Sequence, residues 1–83
     1  MSWLVYILKC GDNSLYTGIT NNFKARLLAH EEGRGAKYTR GRGPFEVVYQ
    51  ETYKSRSEAT TMEIEIKKLS LEEKQKLITG SNT

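Results

Sequence analysis

Tyr6 and Tyr16 stand ten residues apart, each inside a short apolar run. They either decorate the edge of a core or form two halves of one site. Two more polar groups follow on a segment with helical spacing. At about 100° per residue, Phe23, Leu27 and His30 share a face, and Arg26, one turn before His30, flanks it. An Arg and a His there either snorkel at the rim of a core or serve a site. His30 is the lone histidine, and its near-neutral titration makes it the natural proton acceptor. Glu63 falls about 40° from Ala59, beside a second apolar stripe of Ala59, Met62, Ile66 and Leu69. A carboxylate at such a boundary needs an arginine, a hydrogen-bond donor or a metal ion as partner. Glu58, Glu65, Lys67 and Lys68 read instead as surface charges.

Other chemistries are short of residues. One His and one Cys do not make a four-ligand structural zinc site. The single aspartate, Asp12, lies in a turn, which makes a Ser-His-Asp triad improbable. The glycines at 33, 35, 41 and 43 fit no phosphate-loop spacing, and Tyr38 occupies a position that Gly-x-Gly-x-x-Gly reserves for glycine. No group of carboxylates suits a two-metal phosphodiesterase. What remains is a site of Tyr, Arg, one His and one isolated Glu.

The elements that must position these groups are legible from pattern and punctuation. Residues 3–9 and 15–20 are β-branched and aromatic runs separated by Gly-Asp-Asn-Ser, which predicts a hairpin. Asn21 or Asn22 can cap a helix over residues 23–32, ended by Gly33. Pro44, lacking a ladder donor, suits the start of a third strand over residues 45–53. Ser55 and Glu58 form a capping box opening a helix to about residue 69. Ser70 and Glu73 repeat the signature before a last helix to about residue 78. The order is ββαβαα, an α+β fold in which helices flank a three-stranded antiparallel sheet. Residues 1–79 form one domain and 80–83 a flexible tail.

The net charge is +3, and the segment from Gly33 to Pro44 carries four cations, Arg34, Lys37, Arg40 and Arg42, with no acid. A single-sign, glycine-rich loop points to a polyanion, the alternative being a solvated loop. One cysteine, Cys10, excludes an internal disulfide and fits a reducing compartment. The apolar run at residues 3–8 is too short for a signal-peptide core or a membrane span. A soluble, cytoplasmic protein is expected.

Taken in order, Val5-Tyr6-Ile7, Tyr16-Thr17-Gly18, Asn-Asn-Phe-Lys-Ala-Arg26, His30, Gly-Ala-Lys-Tyr-Thr-Arg40 and the Glu63 helix resemble the GIY-YIG nucleases over nearly the whole chain. The likeness is to small single-domain bacterial members, which are similar to the catalytic module of the eukaryotic structure-specific nuclease subunit. The resemblance implies a metal-dependent endonuclease that hydrolyses DNA, structure-selective or weakly specific. It implies Tyr6 as general base or water-positioning group, Tyr16 lining the site near the phosphate, and Arg26 binding the scissile phosphate. His30 would assist the tyrosine, and Glu63 would hold one divalent ion, Mg²⁺ or Mn²⁺. Arg34, Arg40 and Arg42 would grip the nucleic-acid backbone, with Lys37 and Tyr38 beside the site. Gln75 is the nearest match for a late Asn of several members. Val5 and Thr17 depart from the Gly and Ile of the motifs. DNA, branched or single-stranded, is the implied partner; RNA stays open, as does a protein partner for targeting.

The chemistry is coherent. Phosphodiester hydrolysis builds negative charge, which a guanidinium and a metal ion stabilise. A phenol with a reference pKa of about 10 is a poor base at neutral pH, so a His, a cation or the metal is expected to favour its phenolate. One geometric condition follows. Both tyrosines share a sheet face only if a three-residue Gly11–Asn13 loop pairs Tyr6 with Gly18 and Leu8 with Tyr16. Gly18 would then leave space opposite Tyr6 for a phosphate; a four-residue loop would put the tyrosines on opposite faces. The other functional class is a non-catalytic nucleic-acid-binding or partner-docking module that keeps the fold.

Overall fold

The computed structural model describes residues 2–80. The element order is β1 (Trp3–Lys9), β2 (Leu15–Thr20), α1 (Phe23–Glu31), β3 (Glu46–Tyr53), α2 (Arg56–Lys67) and α3 (Leu71–Gly80). The sheet is antiparallel in the order β2-β1-β3, so β1 is central. This is the expected α+β arrangement, with small shifts at element ends. Asn22 caps α1 by accepting from the Ala25 amide. Ser70 and Glu73 close both halves of a capping box, whereas the Glu58 carboxylate takes the Ser55 hydroxyl instead of a backbone amide. Strand β3 starts one residue after Phe45, whose ring turns to His30. Helix α2 ends at Lys67, two residues short of Leu69. Helix α3 runs two residues past Ile78 to Gly80, with Thr79 bonded to the Gln75 carbonyl. Of the expected tail, residues 81–83 lie outside the described ones.

The hairpin takes the short loop. The Cys10 amide donates to the Ser14 carbonyl, and Asn13 adopts a left-handed φ of 70°. That is the three-residue hairpin, whose last loop position takes an αL residue. Asp12 braces it by accepting from the Ser14 amide at 3.1 Å and from the Ser14 hydroxyl. Tyr6 therefore pairs with Gly18 and Leu8 with Tyr16.

Alternation splits β1 between two environments, and Val5 to Leu8 are all fully buried. Val5 and Ile7 join Tyr49, Ala59 and Ile66 in the core under α2. A register shift between Ile7 and Leu8 on the β3 side lets the adjacent Val48 and Tyr49 both meet this core. Tyr6 occupies the other face, beneath Phe23 and His30 of α1. A central strand covered on both sides is thus the rigid mount for Tyr6.

Candidate active site

Tyr6 is the hub of the second face. Its ring lies 5.1 Å from that of Phe23, 5.9 Å from His30 and 6.3 Å from Tyr16, centroid to centroid. Its hydroxyl is 2.9 Å from His30 Nε2. The other ring nitrogen, Nδ1, is 2.8 Å from the hydroxyl of Thr39. His30 and Thr39 are each 1% exposed, so both are core residues by burial. Thr39 in turn donates to the Ala36 carbonyl at 3.0 Å.

Two glycines permit this closeness. A Cβ on Gly18 would lie 2.6 Å from the Tyr6 hydroxyl oxygen, and one on Gly35 would lie 2.3 Å from His30 Nδ1. The space expected opposite Tyr6 for a phosphate is therefore filled by the phenol itself. Gly18 serves the site by letting Tyr6 lie flat on β2, and Gly35 does the same for the imidazole.

Burial dominates the electrostatics. It pushes the Tyr6 phenol up to about 12, against the hydrogen bonding and charge of Arg26 and with small additions from Tyr16 and Glu63. The expected phenolate is thus not favoured here, because desolvation outweighs the cation. Burial also holds His30 below its usual value, and the charge of Arg26 adds to that. Arg26 is held in its charged form chiefly by hydrogen bonding to Tyr6, and it also engages Tyr16. Tyr6, Tyr16, Arg26 and His30 accordingly form one contact group, and Glu63 is close enough to act on the Tyr6 charge.

Glu63 itself has a side chain only 19% exposed, and it pairs with Lys67 one turn on, at 3.2 Å. Among the described residues no three His, Cys, Asp or Glu side chains gather as a metal cage. The donor set fits an ion held by one carboxylate and otherwise by water and phosphate, which suits magnesium. Lys67 read as a surface charge in the sequence. It competes with any cation for Glu63.

The basic segment is more tied down than its charge suggests. Arg42 is ion-paired to Asp12, its Nε donates to the Tyr38 carbonyl, and its guanidinium lies 4.5 Å from the Tyr38 ring centroid. Tyr38 also stacks on Tyr16, at 6.0 Å and 24°. Arg34 is paired with Glu32. Lys37 and Arg40 are exposed and form no ion pair among the described residues. Gln75 stands apart: it lines a different groove of about 480 Å³ with Lys9, Leu15, Glu46 and Val48.

The site residue that the sequence reading passed over is Thr39. It sits inside Gly-Ala-Lys-Tyr-Thr-Arg, where it is the one hydroxyl-bearing aliphatic side chain among glycines and cations. That contrast is the only trace it leaves.

Fold and site together define an α+β domain with a buried Tyr-His pair, an arginine and an isolated carboxylate gathered around one hairpin. Residues 2–76 match the GIY-YIG catalytic domain, and the chain belongs to that family, a nuclease-type family whose substrates are nucleic acids. Its relatives narrow the position further. A UPF0213 protein of Oceanobacillus iheyensis is 61% identical over 74 residues, covering 89% of this chain and 86% of that one. A UPF0213 protein of Clostridium perfringens is 54% identical over 78 residues, covering 94% and 84%. The solution NMR structure of a UPF0213 protein from Bacillus halodurans is similar with a TM-score of 0.63 at 47% identity, covering 95% of this chain and 84% of that one. No described helix is long and apolar enough to cross a membrane.

Proposed function

We propose that this domain is a metal-dependent endonuclease that hydrolyses DNA phosphodiester bonds with structural rather than sequence selectivity. The observation that carries the reading is the line Arg26–Tyr6–His30, with Glu63 within electrostatic reach of its centre. An arginine that can only donate, a phenol that can relay and a neutral imidazole that can accept are the parts a phosphate hydrolysis needs.

Tyr6 is fully buried, and half-buried Arg26 links it to half-buried Tyr16. A substrate phosphate, carrying full charge, competes with the two neutral phenols for the Arg26 donors and draws the guanidinium off Tyr6. Water then meets the Tyr6 oxygen. Because Tyr6 is a phenol at neutral pH, it takes the proton of the attacking water while passing its own to His30 Nε2. The hydroxide bonds to phosphorus, the bond to the leaving oxygen breaks, and solvent protonates that oxygen. Glu63 is the residue that would hold magnesium or manganese, and the bound ion supplies charge neutralisation on the phosphate. Its release from Lys67 is the local change that binding requires.

Within the basic segment, Lys37 and Arg40 are the cations without an ion pair among the described residues, and they would hold the backbone of the substrate. Arg34 and Arg42 join them only by giving up Glu32 and Asp12. RNA fits the same phosphate chemistry, and a protein partner would supply targeting. The free, buried Cys10 suits a cytoplasmic setting.

The closed state of Tyr6 favours one other reading, a nucleic-acid-binding module that does not cut. Incubation of the purified chain with single-stranded, duplex and branched DNA, with and without magnesium or manganese, separates the two. Metal-dependent products from branched or single-stranded DNA are expected. Binding that survives with no cleavage of any substrate would select the second reading.

A further inference from the structure

The hydroxyl of Thr39 has one proton, and it is already committed. Ala36 offers only a carbonyl oxygen, so the 3.0 Å contact requires Thr39 to donate. Toward His30 Nδ1, 2.8 Å away, the hydroxyl can then only accept, and Nδ1 must bear the hydrogen. At the far end Arg26, whose charge acts on Tyr6, has no acceptor to offer, so the Tyr6 proton is left for His30. Burial of His30 and the charge of Arg26 both oppose an imidazolium, which leaves a single N–H on the ring.

We propose that Thr39 is a positioning residue that fixes neutral His30 as its Nδ1–H tautomer, so that Nε2 is the lone-pair nitrogen receiving the Tyr6 proton. The opposite tautomer would leave Nδ1 without a donor in a site sealed by Gly35, and would point Nε2–H at a phenol that then has nowhere to send its proton. The polar chain Tyr6→His30→Thr39→Ala36 thus holds one proton per link. Its consequence for catalysis rests on the nuclease reading; its geometry does not.

The test uses the full ¹⁵N-labelled chain and its Thr39→Val and Thr39→Ser variants. Long-range proton–nitrogen correlation at neutral pH shows which ring nitrogen of His30 carries hydrogen. Wild type and Thr39→Ser are expected as Nδ1–H, whereas Thr39→Val, equal in shape but without the hydroxyl, is expected to show mixed tautomers. Single-turnover DNA cleavage by Thr39→Val should fall roughly 10–100-fold, the range typical when a functional imidazole loses its orienting partner. Thr39→Ser should restore it, with DNA affinity alike in all three proteins. An Nε2–H tautomer in wild type, or an unchanged Nδ1–H tautomer in Thr39→Val, overturns the proposal. If Thr39→Val loses its dispersed spectrum, wild type and Thr39→Ser still decide between the tautomers. A wild type that cuts no DNA yet shows Nδ1–H counts against the nuclease reading alone.

Discussion

His30 sits where a polar ring is costly unless both nitrogens are partnered, and both are. Its depressed titration has a thermodynamic consequence. The unfolded chain binds a proton as pH falls through about 6.5 while the folded chain resists it. Stability is therefore expected to be full above that pH and to decline below it. Thermal melts of wild type between neutral and mildly acidic pH should show the decline, and His30→Phe should show a shallower one; identical slopes would remove the assignment. Type and spacing make Tyr6, Tyr16, Arg26, His30 and Glu63 legible as candidates, and the family resemblance is what joins them into one expected site. What spacing did not reveal was the state of Tyr6. Tyr6 is covered by Phe23 and His30, and His30 is in turn held by Gly35, Thr39 and Phe45, from a segment with no periodicity to read.

At the scale of elements, the hairpin register was legible as a choice between a three-residue and a four-residue loop, and the structure takes the former. The bulge in β3 and the stack of Arg42 on Tyr38 on Tyr16 were not, since both depend on contacts between segments far apart in sequence. Close approach of elements makes a sharp prediction. Gly18→Ala and Gly35→Ala should each destabilise the fold by about 1–3 kcal/mol, because the added methyl must displace the Tyr6 hydroxyl or the His30 ring. Denaturant melts measure it, and a neutral effect at both sites would mean the face is looser than described. Helix α2 carries a second one. Lys67 and Glu63 form a partly exposed pair of modest worth, so Lys67→Met should tighten Mn²⁺ binding only a few-fold, in keeping with about 0.2–1 kcal/mol. Titration followed by manganese paramagnetic resonance reads this without any cleavage; weaker binding would show that Glu63 is not the ligand.

For the whole molecule, the layout is a rigid central strand with a hydrophobic core on one face and a polar, nearly sealed site on the other. Charge is spread so that only part of the basic segment faces solvent unpaired. Arg40→Ala should weaken DNA binding alike across sequences and reduce the steepness of its salt dependence by about one phosphate contact. Asp12→Asn should do the reverse by releasing Arg42. The central claim is that Tyr6, Arg26 and Glu63 act together on one scissile phosphate. Single-turnover cleavage of branched DNA in magnesium, compared across wild type, Tyr6→Phe, Arg26→Ala and Glu63→Ala, tests it most directly. Losses of roughly 10²–10⁴-fold are expected for Tyr6→Phe, with Arg26→Ala and Glu63→Ala also severely impaired. Equal cleavage by all four proteins would contradict it.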